Sequence, residues 1–173
     1  VCNSGTTNSQ VAVAALAAGG VAVNAGIATA INLTKVRTYV GKNVTVSAPN
    51  ALLVVSHDFT ANAQGGILSI SAGAVATGAC VVVVDNKLDA RAYVGFAPDE
   101  TVTGESGSIQ VRSITVTAEA AGKTEVLGAG IAGGAIAGNG IVAVGLGFIT
   151  NIGAIRGVDI TTGDLTVKAA IDG

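Results

Sequence analysis

The 173-residue chain is half hydrophobic, yet it holds three Phe, two Tyr and no Trp, while 25 of its residues are Gly. Ala, Val and Gly in such amounts suit thin, regularly stacked layers and exclude a core built on large aromatic side chains. Only 12% of residues are charged and the net charge is −2, so no basic patch or stacking platform exists for nucleic acid. Solubility rests on Ser, Thr and Asn, which leaves self-association open.

The chain starts at Val1 and contains no Met, which points to a removed initiator or to a piece of a longer polypeptide. No charged segment precedes Val11, so no signal peptide is read in it. Three uncharged runs, Val11–Thr34, Gly65–Val84 and Val126–Ile155, are long enough to span a bilayer as helices. Membrane insertion is not expected, however. The runs contain Asn24, Asn32, Asn139 and Asn151, a basic residue follows each (Lys35, Lys87, Arg156), and no Trp anchors flank them.

Residues 1–10, VCNSGTTNSQ, are polar and turn-like and read as a lead-in loop. In Val21–Gly41 bulky and small residues then alternate, with Val, Val, Ala, Ile, Thr, Ile and Leu at odd positions 21–33 and Ala, Asn, Gly, Ala, Ala, Asn and Thr at even positions 22–34. A period of two predicts a long strand with one filled face and one thin face suited to close sheet stacking. The segment ends in TKVRTYVG, Thr34–Gly41, which aligns with LDARAYVG, Leu88–Gly95, and more loosely with TNIGAIRG, Thr150–Gly157. A short V-T-V strand, Asn43–Ala48, a turn at Pro49–Asn50 and a strand Ala51–Ser56 follow. Asn50–Ser56 aligns with Gly107–Ser113 and Gly163–Ala169, and Gly/Ala/Val runs precede each unit.

The unit thus occurs three times, at offsets averaging about 57 residues, with copies at 11–63, 64–121 and 122–173. The second copy carries a longer exposed loop, Phe96–Ser106. The best helix candidate, Ala118–Lys123, is one turn long and ends at Gly122. The expected fold is all-β, a single repetitive parallel β-solenoid over residues 11–173, because each stacked repeat buries a face that it cannot bury alone.

Gly/Ala/Val runs followed by A-Y-V-G and V-T-V-S-A resemble the repeats of large secreted bacterial exoproteins, the haemagglutinin-like and leukotoxin-like adhesins and autotransporter passengers. The resemblance spans about Val11 to Gly173. It implies a solenoid stalk, secreted or on the bacterial cell surface, within a longer polypeptide and with no catalytic residues in the repeats.

Individual motifs add little chemistry. Gly128, Gly130 and Gly133 in VLGAGIAGG match the G-x-G-x-x-G of dinucleotide-binding proteins. The strand before them is too short, five further glycines follow where a helix belongs, and the first acid after the motif is Asp159. A Gly-rich copy of the thin strand is the better reading, and no cofactor is expected. His57, the only histidine, stands beside Asp58, but neighbours on a strand point to opposite faces, so a surface His at a strand end is expected. Asp85, Asn86 and Asp89 in one turn, and Asp99, Glu100 and Glu105 in one loop, offer oxygens for calcium. Neither matches a known calcium loop, and solvated loop charge is expected instead. Asn32-Leu33-Thr34 and Asn43-Val44-Thr45 are formal glycosylation acceptors near strand surfaces. Lys35 and Arg37, like Asp89 and Arg91, share a strand face, where charge guards an edge. Cys2 and Cys80 are either two unlinked thiols, with Cys80 buried, or a disulfide tying down the N-terminus.

No catalytic or metal-binding constellation is expected, so the sequence reads as a non-catalytic structural or adhesive module that gives length and display. Its partners would be neighbouring repeats of a longer chain or copies of itself, with a host surface or glycan at exposed loops. The alternative is a self-assembling filament subunit completed by strand pairing between copies.

Overall fold

The computed structural model describes residues 1–104 and 107–172. Every regular element among them is a strand: β1 Cys2–Ala18, β2 Val21–Gly41, β3 Val44–Ala72, β4 Val75–Gly95, β5 Gly107–Gly133, β6 Ile136–Arg156, β7 Asp159–Thr161 and β8 Asp164–Asp172. The chain alternates between two parallel sheets. One has the order β1-β3-β5-β7, with β8 also on β5, and the other has the order β2-β4-β6. We call them the first and second sheets.

Register repeats from sheet to sheet. Cys2 lies opposite Ser56 and Val21 opposite Val75, the same 54-residue step in both. Leu52 lies opposite Ser113 and Val75 opposite Ile136, again one step of 61. The second sheet keeps unbroken register along all of β2, β4 and β6, whereas in the first sheet the ladder from β3 to β5 slips between Ala48 and Leu52. A slip there lets the chain bend without disturbing the paired stretches on either side.

The thin face of β2 turns inward, toward the first sheet. Ala22, Ala28, Ala30 and Val36 are buried, while Val23, Ile27, Ile31 and Leu33 point out. Large inner side chains are matched to glycines on the facing sheet. A Cβ at Gly65 would stand 2.5 Å from Val84 and 2.9 Å from Val82, and one at Gly128 would stand 2.6 Å from Ile141. The core is therefore Ala and Val packed at short range, with Val82, Val84, Ile67 and Cys80 in one cluster and Val55, Val94, Ile114 and Val116 in another. Close approach replaces bulk as the source of contact.

Several sequence expectations change. Residues 1–10 are not a lead-in loop, since β1 begins at Cys2 and pairs with β3 along its length. Polar residues such as Thr6, Asn8 and Gln10 are compatible with a strand because they take its outward positions and β3 satisfies its backbone. Gly107–Val111 lies against Val44–Ala48 rather than against Asn50–Ser56. The turn expected at Pro49–Asn50 is the point where the ladder slips, within β3. Gly95 pairs with Arg156, one residue before the Gly157 to which the sequence aligned it. That single step reverses faces, so Ala154 stands beside Tyr93 on the outside and Ile155 packs into the core. Ala118–Lys123 is strand within β5. Phe96–Gly104 lies between strands, as expected of that loop, and Glu105 falls outside the described residues.

Candidate functional site

Five asparagines of the second sheet reach across the interior. The Nδ2 of Asn24 donates to the carbonyls of Ala15 and Ile70 at 2.6 and 3.1 Å, and that of Asn32 to Thr7 and Asn62 at 3.4 and 3.1 Å. Asn86 donates to Ala61 and Lys123 at 2.8 and 3.2 Å, and Asn139 to Ser69 and Ile131 at 3.2 and 3.4 Å. Asn151 donates to Ala118 and Ala170 at 2.8 and 2.6 Å. Each carboxamide thereby bridges two adjacent strands of the first sheet, in the same relative register every time. Buried amides need such partners, and a satisfied set fixes how the sheets slide on each other. Ser69 Oγ sits between the Oδ1 atoms of Asn24 and Asn139, at 3.4 and 3.0 Å. Gly78 makes room for it, because a Cβ there would lie 2.9 Å from that hydroxyl.

His57 belongs to this interior set. It is only 2% exposed, and its Nε2 stands 2.9 Å from Asn151 Oδ1. Since the Asn151 amide nitrogen is already donating, its oxygen accepts and Nε2 carries the proton. Nδ1 has no partner. The expected surface histidine is thus a core residue, and the neighbouring Asp58 is exposed on the other face. With its ring turned inward, His57 is not placed to activate the hydroxyl of Ser56 or the exposed thiol of Cys2, which accepts a hydrogen bond from Ser56 Oγ at 3.2 Å.

The outer face of the second sheet is mostly aliphatic, with Ile27 76%, Ile136 69% and Leu33 66% exposed. Its far end is charged. Asp89 accepts from Arg37 at 2.5 Å and from Arg91 at 2.8 Å, and Arg91 also reaches Asp99 at 2.7 Å. Burial works against the Asp89 carboxylate, but the guanidiniums of Arg91 and Arg37 outweigh it and hold the carboxyl below its ordinary value. Next to this network Tyr39 stacks on Tyr93, with ring centroids 5.0 Å apart. A groove of about 330 Å³ runs beside it between Leu33, Lys35, Lys87, Asp89 and Phe148. The outer face of the first sheet is aliphatic at one end, with Leu16 70%, Leu127 73% and Ile131 60% exposed, and polar beside it. Asn62 donates to Asn8 at 3.0 Å, Gln10 to Gln64 at 2.8 Å, and Gln64 to Glu125 at 2.5 Å.

The remaining sequence candidates disperse. Asp85, Asn86 and Asp89 lie in strand β4 rather than in a turn. Alternation sends Asn86 inward and the two acids outward, where Asp85 pairs with Lys87 at 2.7 Å. In the Phe96–Gly104 loop Asp99 pairs with Arg91 and Glu100 with Lys42, so their charge is matched by cations. Among the described residues no three His, Cys, Asp or Glu side chains stand close enough to hold a metal. Gly128, Gly130 and Gly133 end strand β5, and no helix follows them. They copy the end of β3 rather than the thin strand β2, and Gly128 and Gly130 admit Ile141 and Asn139 of the facing sheet. Asn32 is buried at 7% exposure, which removes it as an exposed glycosylation acceptor. Asn43 is exposed and takes φ 63°, a conformation Asn tolerates in a turn. Lys35 and Arg37 do share a face, as do Asp89 and Arg91. Both thiols are free and no disulfide joins them. Cys2 pairs with Ser56 at the start of β1, while Cys80 is buried in the second sheet beside Gly26.

Comparison of the chain with protein-family models, curated proteins and solved structures finds no match.

Sequence reasoning missed the asparagine bridges and the inward His57. The signal was present, since Asn24 and Asn32 fall on the small-residue positions of β2.

Proposed function

We propose that the chain is a non-catalytic structural and adhesive module, a β-solenoid of three wide coils and the start of a fourth, from a secreted or surface-exposed bacterial protein. One observation carries the reading. The register step between β1 and β3 equals that between β2 and β4, and from Leu52 onward the step from β3 to β5 equals that from β4 to β6. Equal steps in both sheets are what a coil with one long strand per sheet produces. The Asn bridges support a rigid role, because they tie each coil to two strands opposite. The polar columns of the first sheet and the Phe96–Gly104 loop are the surfaces available for display to a host surface or glycan. The resemblance to exoprotein repeats supports the location.

Small-angle scattering of a head-to-tail tandem of the chain tests this. A solenoid lengthens by about 14–19 Å per added chain, three coils and a partial fourth at ~4.8 Å each, with its cross-section unchanged. Two separate bodies joined by a tether would reject the reading.

A second reading is favoured by the open edges. β1, β2 and β6 each pair on one side only, which presents rows of unpaired backbone groups at both ends of the stack. A self-assembling subunit would join copies through these edges. Sizing over a concentration series would then show an open-ended ladder of oligomers, whereas a single species at all concentrations rejects it.

A further inference from the structure

We propose that two copies of this chain pack face to face through the outer surface of β2, β4 and β6, about a two-fold axis. This contact is separate from edge pairing and does not depend on the stalk reading.

Three features of the face point to a second copy as its occupant. The first is area. From Val21 to Ile31 the strand runs about 36 Å, and three strands ~4.8 Å apart make it about 14 Å wide, so a pair of such faces covers on the order of 1,000 Å². That reaches the lower end of specific interfaces even before side-chain relief is counted.

The second is relief. Register aligns outward residues into columns across the three strands. Ala25, Ala79 and Gly140 form a low floor, and Ile27, Val81 and Val142 form the ridge beside it. The trough along them measures about 440 Å³. Floor and ridge are adjacent columns about 7 Å apart. A two-fold axis parallel to the columns and midway between these two lays each ridge on the other copy's floor, and both insertions occur together. Strand directions are then reversed between copies. The column of Val23 meets that of Thr29, and the column of Val21 meets that of Ile31. Such a self-matching patch is what an isologous dimer requires.

The third is charge. The same operation carries Lys35, Arg37, Asp89 and Arg91 beyond the partner's β1–β2 turn, where they stay in water. Asp85 falls in the last overlapping column, at the rim, and is already paired with Lys87 at 2.7 Å.

Sedimentation equilibrium of the purified chain tests the proposal. A closed monomer–dimer equilibrium is expected, with dimer prevailing at roughly 10 µM. Val81→Lys places an ammonium group at the centre of the ridge and should weaken the dimer by at least about 100-fold. Ile27→Lys on β2 is the second variant, in case the first misfolds, and circular dichroism reports the fold of both. Gln64→Lys on the opposite sheet should leave the dimer intact. A monomer at about 100 µM, an open-ended series, or a dimer indifferent to both ridge variants overturns the proposal. So does a monomer that co-sediments with phosphatidylcholine vesicles, since a lipid surface would then be the occupant.

Discussion

On the first sheet polar outward columns run Asn8 to Asn62 to Lys123 and Gln10 to Gln64 to Glu125, with side-chain hydrogen bonds from Asn62 to Asn8, Gln10 to Gln64 and Gln64 to Glu125. On the second the outward columns run Ile27 to Val81 to Val142 and Leu33 to Lys87 to Phe148. Both faces stand on one shared interior of Ala, Val, Gly and bridging Asn. The contrast teaches that the folding information lies inside, in small residues and amides, and that each outer face is free to carry its own chemistry. Stacking in register then multiplies that chemistry, since a residue repeated on three strands becomes a column.

The comparison is broken most strongly from within. Gly65→Val forces methyl groups onto Val82 and Val84 and should cost about 3 kcal/mol or more in urea unfolding, with both faces lost in one transition. An unchanged midpoint would mean that the sheets are not held as close as their glycines require. Asn86→Ala removes two cross-sheet donors from a site 3% exposed, and about 1–3 kcal/mol should be lost. Hydrogen exchange around Ala61 and Lys123 would rise with it.

Smaller effects sharpen the contrast between the faces. Asp89→Asn at the charged end of the second sheet should cost at most about 1 kcal/mol. Because the folded carboxyl is held low, its contribution is complete above the ordinary unfolded value near 3.9 and is lost as pH falls through the lower folded value. Acid unfolding curves of the native chain should therefore fall away more steeply below about pH 4 than those of Asp89→Asn. Gln64→Val extends the aliphatic patch of the first sheet into its polar columns. Stability should move by no more than about 0.5 kcal/mol, while binding of a hydrophobic dye increases. Equal dye binding before and after would show that the polar columns do not bound that patch.

Much of this was legible in particular residues. The alternation of Val23, Ile27 and Ile31 with Ala22, Ala28 and Ala30 identified a strand and its two faces, and AYVG against TYVG placed Tyr93 beside Tyr39. What escaped had a common cause. Thr6, Asn8 and Gln10 look like a loop until β3 supplies their backbone partners. Gly107–Val111 was misaligned because the slip at Ala48–Leu52 is a property of the ladder and leaves no mark in composition. Gly157 drew the third copy one residue out of step, since glycine marks a turn without saying on which side of it the strand ends. The candidate surfaces were less legible still, because a column exists only once three distant segments share a register.

By itself, the sequence determined that the chain is all-β, that Val21–Gly41 is one long strand, and which of its residues share a face. Those follow from local sterics and a period of two, which act between neighbours. Only the tertiary structure decided that five asparagines and His57 lie inside, and that polar columns stand beside an aliphatic patch on one outer face while the other is aliphatic up to a charged end. Those depend on the facing sheet, which turns small residues into contact and leaves large ones in water.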